Sequence, residues 1–161
     1  MTKPTWTIYH PNGKGTGSAL RLELHPAHDQ TDGSIFAAIA PQKTSEAEPY
    51  PSMDWGKAIP VKFDIIELAQ ILQVLRGCTE SIADGKGLFH RTIKGNTVVR
   101  FAHFIEPVCG YKLDITRRPL SCEEEAVHLS FCLTQTEAFA LSEVISHAMC
   151  YVAFGNPMVN E

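Results

Sequence analysis

No stretch of this sequence approaches the roughly 20 consecutive apolar residues that a membrane-spanning helix needs, so no membrane association is expected. The opening residues, Met-Thr-Lys-Pro-Thr-Trp, carry neither the apolar segment of a secretory signal nor the Arg-rich amphipathic pattern of a transit peptide. Metal-type cysteine spacing is also missing: Cys78, Cys109, Cys122, Cys132 and Cys150 are scattered and odd in number. They read as reduced thiols of a reducing compartment, and a soluble, cytoplasmic protein is the expectation. Basic charge is short as well. With 14 Lys and Arg against 18 Asp and Glu, the formal net charge is -4, which argues against a generic polyanion binder. Net charge does not fix where the charges lie, so nucleic-acid binding is weakened by this balance without being excluded.

What the chain does have is apolar content, 44% of 161 residues, enough for a single domain with a core of its own. Its organising stretch is Val61 to Gly77, where strand-like residues run straight into a helical pattern. Asp64 is placed to cap that helix, and Glu67, three residues on, completes a capping box. From Ile65 to Arg76 only Glu67, Gln70, Gln73 and Arg76 are polar, at every third position. The helix is therefore expected to be largely buried, with one narrow wet stripe. Gly77 supplies a left-handed stop. The unit then recurs: Val127 to Leu133 alternates as a strand, Thr134 and Glu137 repeat the capping pair, and a helical pattern runs to Gly155.

Four strand-like runs precede each helix. In the first half they are Thr5 to His10, Ala19 to His25, Ser34 to Ala40 and Ala58 to Phe63. Pro60 lies on the outward parity of the last, which marks an edge strand or a bulge. In the second half they are Leu88 to Ile93, Thr97 to Ile105, Tyr111 to Arg117 and Val127 to Leu133. The first two of these are predicted to form a hairpin across Lys94-Gly95-Asn96. Pro41 to Gly56 is a long polar connection, which suggests flexibility or a binding role, and Cys78 to Lys86 reads as a loop. The last helix carries Ala138, Leu141, Val144, Ile145, Ala148, Met149 and Val152 on its apolar side, with Phe139 near the opposite face, which predicts partial cover there too. Its end, Met149 to Phe154, is apolar nearly all round, so it inserts into the core or meets another subunit. The fold class that follows is α+β, a tandem ββββα-ββββα duplicate in one domain, with pseudo-repeats at about 5–77 and 87–155.

Four strands, a helix, four strands and a helix is an order that resembles the plant Whirly family of single-stranded nucleic-acid-binding proteins. The kinetoplast guide-RNA-binding proteins share it, and the PUR proteins and positive-cofactor-type transcriptional coactivators are similar. The resemblance spans essentially the whole chain and is one of pattern. Its sequence echo is Lys14-Gly15 and Ala19-Leu20, which match the Whirly Lys-Gly-Lys-Ala-Ala-Leu motif with Thr16-Gly17-Ser18 interposed and the second lysine missing. It implies a Whirly-like fold in which two antiparallel sheets pack together, helices clamp them, and the outer sheet faces hold single strands.

Strand parity supplies the candidate contacts. Tyr9, Arg21, Phe36, Lys62, Arg91, Arg100 and Lys112 are basic or aromatic residues that alternation turns outward, with Lys14 in the turn beside them. Cations track phosphates, and ring faces stack on bases at about 1–3 kcal/mol per base. Any soluble sheet shows some Lys and Arg, and Glu23 and Asp114 share these parities. Gly13-Lys14-Gly15-Thr16-Gly17-Ser18 brings backbone N–H groups into reach of a phosphate, but it lacks the closing Gly-Lys-Ser/Thr of a P-loop and leads into a strand. A mobile hairpin loop is the better reading of it. His25, His28, Asp29 and Asp32 offer nitrogen and oxygen ligands of the kind zinc or manganese accepts, but Pro26 and the absence of a helix leave them unaligned. Cys122 and His128 flank an acidic run without an orienting third group, and no catalytic set emerges.

The reading is therefore a non-enzymatic single-stranded DNA or RNA binder with no cofactor and no metal, assembled as a homo-oligomer through the apolar end of its last helix. The alternative, which the acidic charge favours, is an oligomeric interaction module or scaffold without nucleic acid. A small metal-dependent enzyme built on His25 and His28 stands third.

Overall fold

The computed structural model describes residues 2–43 and 49–156. Its first half holds β1 (Thr5–His10), β2 (Ser18–His25), β3 (Ser34–Pro41), β4 (Ile59–Phe63) and helix α1 (Ile65–Leu75). The second holds β5 (Leu88–Thr92), β6 (Gly95–Phe104), β7 (Gly110–Arg118), β8 (Val127–Leu133) and helix α2 (Gln135–Phe154). Each set of four strands forms its own antiparallel meander, in the order β1-β2-β3-β4 and β5-β6-β7-β8. The ββββα-ββββα order read from the sequence is the order of the fold. β4 is an edge strand, which accommodates Pro60, whose carbonyl accepts from Arg117 rather than from a neighbouring strand.

Period-2 alternation sends one side of every strand to the interior. Leu20, Leu22, Ile35, Ala37, Ile39, Val61 and Phe63 from the first sheet join Val99, Phe101, Leu113, Ile115, Phe131 and Leu133 from the second, and both helices close over this single apolar cluster. Helix α1 starts on a complete capping box. Asp64 accepts the Glu67 N–H at 2.8 Å, and the Glu67 carboxylate accepts the Asp64 N–H at 3.1 Å. It ends in a Schellman motif, with Gly77 at φ 72, the Gly77 N–H on the Val74 carbonyl and the Cys78 N–H on the Gln73 carbonyl. Helix α2 repeats the box with Thr134 and Glu137.

The two halves are also pinned by reciprocal polar contacts. His10, ending β1, donates from Nε2 to Glu137 Oε1 at 2.6 Å and stacks on Phe131 of β8. His90, in β5, donates from Nε2 to Glu67 Oε1 at 2.7 Å and meets Phe63 of β4 edge-on. Each helix-capping glutamate is thus held by a histidine from the first strand of the other half.

Four expectations need correction. Helix α1 buries Leu68, Ile71, Leu72 and Val74, but Ile66 is exposed, so one face is covered rather than all but a stripe. Phe139 of α2 is exposed too, because the sheets and α1 occupy only the side bearing Ala138, Leu141 and Ile145. The β5–β6 hairpin turns on Ile93 and Lys94, since Thr92 already pairs with Gly95. Gly95 is glycine for another reason: at φ 134 its Cβ would lie 2.3 Å from the Arg118 carbonyl oxygen. Finally, the connection from Pro41 to Gly56 is not simply free. Its residues 44–48 lie outside those described, but Gln42 bridges to Met53, and Met53 and Trp55 pack over Ala19 and Ala40 on the outer side of the first sheet. No described helix is long and apolar enough to cross a membrane.

Candidate nucleic-acid interface

With their inner faces packed together, the two sheets present two outer faces, and the candidate residues divide between them. On the first sheet the cross-strand rows are Tyr9–Ala19–Ala40, Thr7–Arg21–Ala38–Pro60 and Thr5–Glu23–Phe36–Lys62. Tyr9 is 55% exposed, and Lys62 is exposed beside Phe36 with no ion pair among the described residues. Phe36 is half-buried under the His25 ring at 4.4 Å, and His25 is in turn hydrogen-bonded to Glu23 and to Lys3 Nζ at 2.8 Å. Arg21 departs from the open placement that parity predicts. Its guanidinium lies 3.5 Å from the centroid of the Trp55 ring, a cation–π contact made by the segment that crosses this face.

Lys14 is exposed in the β1–β2 turn, but the turn itself is organised. Asn12 Oδ1 accepts the N–H groups of Lys14 at 3.1 Å and Thr16 at 3.0 Å, and Gln42 holds the Asn12 backbone from the side. These amides are therefore already satisfied, and what the turn offers a phosphate is the Lys14 ammonium rather than a backbone cradle. The expected mobile loop is instead an Asx-braced one.

On the second sheet the rows are Arg91–Asn96–Arg118, Phe89–Val98–Thr116–His128, Arg100–Asp114–Ser130 and Ala102–Lys112–Cys132. Arg91 and Arg100 are exposed, and neither makes an ion pair among the described residues. Lys112 Nζ lies 3.3 Å and His128 Nε2 3.4 Å from Asp114 Oδ1, while the other His128 ring nitrogen meets the Thr116 hydroxyl at 2.9 Å. Sequence reasoning missed Phe89, Arg118 and Trp55. Phe89 is 59% exposed and shares the parity of Arg91, a signal that was there to use. Arg118 closes β7 one residue beyond the predicted strand. Nothing local announces Trp55, whose position depends on a long connection folding back.

The charge pattern along the strands is the main electrostatic feature. The charged residues of the eight strands are Arg21, Lys62, Arg91, Arg100, Lys112, Arg117 and Arg118 on one side of the balance and only Glu23 and Asp114 on the other. Both acids have cationic or imidazole partners within the fold. Arg117 points inward, with its Nε on Thr97 Oγ1 and its fork on the Pro60 carbonyl, and burial lowers its affinity for the proton. The others lie on outward parities. In a chain of net charge -4, most acidic residues among those described lie in caps, helices and loops rather than in strands, although Glu106 lines the same cleft as Arg100 and Lys112.

The other clusters are local. His28 pairs with Asp29 at 2.7 Å, both exposed, while His25 is turned to Glu23 and Phe36, so the two imidazoles do not converge. No group of three or more His, Cys, Asp or Glu suited to a metal ion occurs among the described residues, and all five cysteines are free thiols.

No family model matches the chain, and no curated protein matches its sequence. Among solved structures it is similar to the Whirly protein WHY1 from Arabidopsis thaliana, at TM-score 0.75 and 16% identity over 99% of this chain and 90% of that one. It is similar also to WHY3 from the same plant, at TM-score 0.77 and 15% identity over 99% and 94%. The trypanosome MRP1/MRP2 structure matches at TM-score 0.64 and 16% identity over 99% and 100%. Two four-stranded antiparallel sheets, each followed by a helix, give this chain the Whirly-like α+β fold.

Proposed function

We propose that this chain is a non-enzymatic single-stranded DNA- or RNA-binding protein that works as a homo-oligomer. The observation that carries the reading is the segregation of charge. The outward strand positions are mostly cationic and interleaved with Tyr9, Phe36 and Phe89, while most of the described acids lie off the strands. That mixture suits an extended strand whose phosphates meet Lys and Arg and whose bases meet ring faces. Its place on a Whirly-like fold supports it, since the family that the sequence order resembles binds single strands. Free thiols are in keeping with a reducing compartment such as the cytoplasm.

A second reading, a scaffold that self-associates without nucleic acid, draws on the end of α2, where Phe154 is 85% exposed beside exposed Tyr151 and Cys150. Titration of a labelled short polypyrimidine DNA and its RNA counterpart, at low and at physiological salt, separates the two. Binding that weakens as salt rises supports the single-strand reading, and no binding of either at low salt leaves the scaffold.

A further inference from the structure

The outer face of the second sheet carries an open cleft of about 490 Å³, within the range of small-ligand sites. One wall is the segment after α1. The Glu80 carbonyl accepts the His103 N–H, Ser81 bridges to Ala102, and Ile82 is buried as an anchor. The floor and far wall come from Arg100, Ala102 and Phe104 of β6, Lys112 and Asp114 of β7, and Cys132 of β8, with the carboxylate of Glu106 at the β6–β7 turn also in the lining. Apolar surface from Ala102 and Phe104 suits the flat face of a base. The convergent polar group is unusual. Asp114 lines the cleft with a side chain 21% exposed; its Oδ1 is enclosed by the chain and makes no hydrogen bond, so the carboxylate edge left to a base is the Oδ2 side. Lys112 and His128 stand at ion-pair distance from Oδ1 without the direction a hydrogen bond needs. Arg100, directly across from Asp114 in the ladder, makes no ion pair with it and remains exposed.

Resting on the single-strand reading, we propose that this cleft takes one base of the bound strand and that Asp114 selects guanine. A carboxylate only accepts hydrogen bonds. Guanine alone among the common bases presents two adjacent donors on its pairing edge, N1–H and the 2-amino group. Adenine and cytosine set a ring-nitrogen acceptor beside their amino donor, which would face the carboxylate with like polarity. Thymine and uracil flank their single N–H with two carbonyls. Arg100 and Lys112 stand at the rim, where the phosphates on either side of the base would run.

The test uses oligothymidylates with one central position changed to guanine, inosine, adenine or cytosine, bound at fixed salt by the full chain. The guanine oligonucleotide should bind at least about fivefold more tightly than those with adenine or cytosine, the lower end of what a specific side chain–base contact supplies. Inosine, which keeps N1–H but lacks the amino group, should fall between. D114N should erase this discrimination and at the same time tighten binding of unsubstituted oligothymidylate, because a negative charge has left the phosphate path. Cys132 gives a readout independent of any variant. Its thiol lines the cleft and is exposed, so the guanine oligonucleotide should slow its alkylation while Cys78 and Cys150 react as before. Equal affinity for every central base with Cys132 unprotected would overturn the cleft while leaving single-strand binding intact. So would a D114N variant that loses affinity for all oligonucleotides alike. Failure to bind any of them at low salt would remove the underlying reading and this one with it.

Discussion

His90 and Glu67 tie β5 to the start of α1, and His10 and Glu137 tie β1 to the start of α2. The hydrogen bond to Glu67 raises His90 above its ordinary value of 6.5, against burial, which pulls it down. A group raised on folding stabilises the fold below its unfolded value and loses that contribution as pH climbs through the folded one. Glu137 runs the other way. Burial pushes it up, but the hydrogen bonds from His10 and Thr134 outweigh this and leave it below 4.5, so its contribution holds above that value and fades as the solution is acidified further. His90→Gln should therefore lower the urea midpoint more at pH 5.5 than at pH 8.5. Equal losses at both would mean that the His90–Glu67 contact is a neutral hydrogen bond. At the same scale, Arg21 pairs with Trp55, so oligonucleotide bound to the first sheet should change the fluorescence of Trp55, as read in a Trp6→Phe variant.

At the scale of elements, Leu72 lies on the buried face of α1 within the common apolar cluster. Leu72→Ala should cost about 2–5 kcal/mol in chemical denaturation, whereas a loss of a few tenths would place the side chain at the surface. Helix α2 is docked at its end by hydrogen bonds from the N–H groups of Ala27 and Gly33 to the carbonyls of Tyr151 and Val152. Val152 is buried and Met149 packs on the core, which is one of the two fates that its composition offered, but Tyr151 and Phe154 remain outside. Sedimentation should show an assembly at micromolar concentration that Phe154→Ser weakens, and a monomer would mean that this exposed end of the helix is not an interface between copies. The elements themselves were legible because their signals are local. Capping pairs at Asp64 and Thr134 and strict alternation in β2, β4 and β7 specify where helices begin and which side of a strand is buried. What was not legible depends on distant partners. The β5–β6 turn moved to Ile93–Lys94 because the close approach of Arg118, some 23 residues on, requires Gly95 inside the ladder. Ile66 and Phe139 are exposed because neither helix has a layer on its far side.

For the whole molecule, composition points one way and arrangement the other. A net charge of -4 favours a scaffold, but the strands carry basic residues and the caps and loops carry most of the acids. Parity gave Tyr9, Lys62, Arg91 and Arg100 their outward, exposed positions, while Arg21 and Phe36 proved half-covered by Trp55 and His25, which strand alternation does not encode. The most direct test is the salt dependence of oligonucleotide affinity for the unmodified chain, for Arg91→Ala/Arg100→Ala on the second sheet, and for Arg76→Ala at the end of α1. The log–log slope of the unmodified chain should be about -0.7 for each phosphate neutralised. It should become shallower by about that amount for each of Arg91 and Arg100 that holds a phosphate, and stay unchanged in Arg76→Ala. A slope that Arg76→Ala flattens as much as the double variant, or an unmodified chain whose affinity ignores salt, would contradict binding on the outer sheet faces.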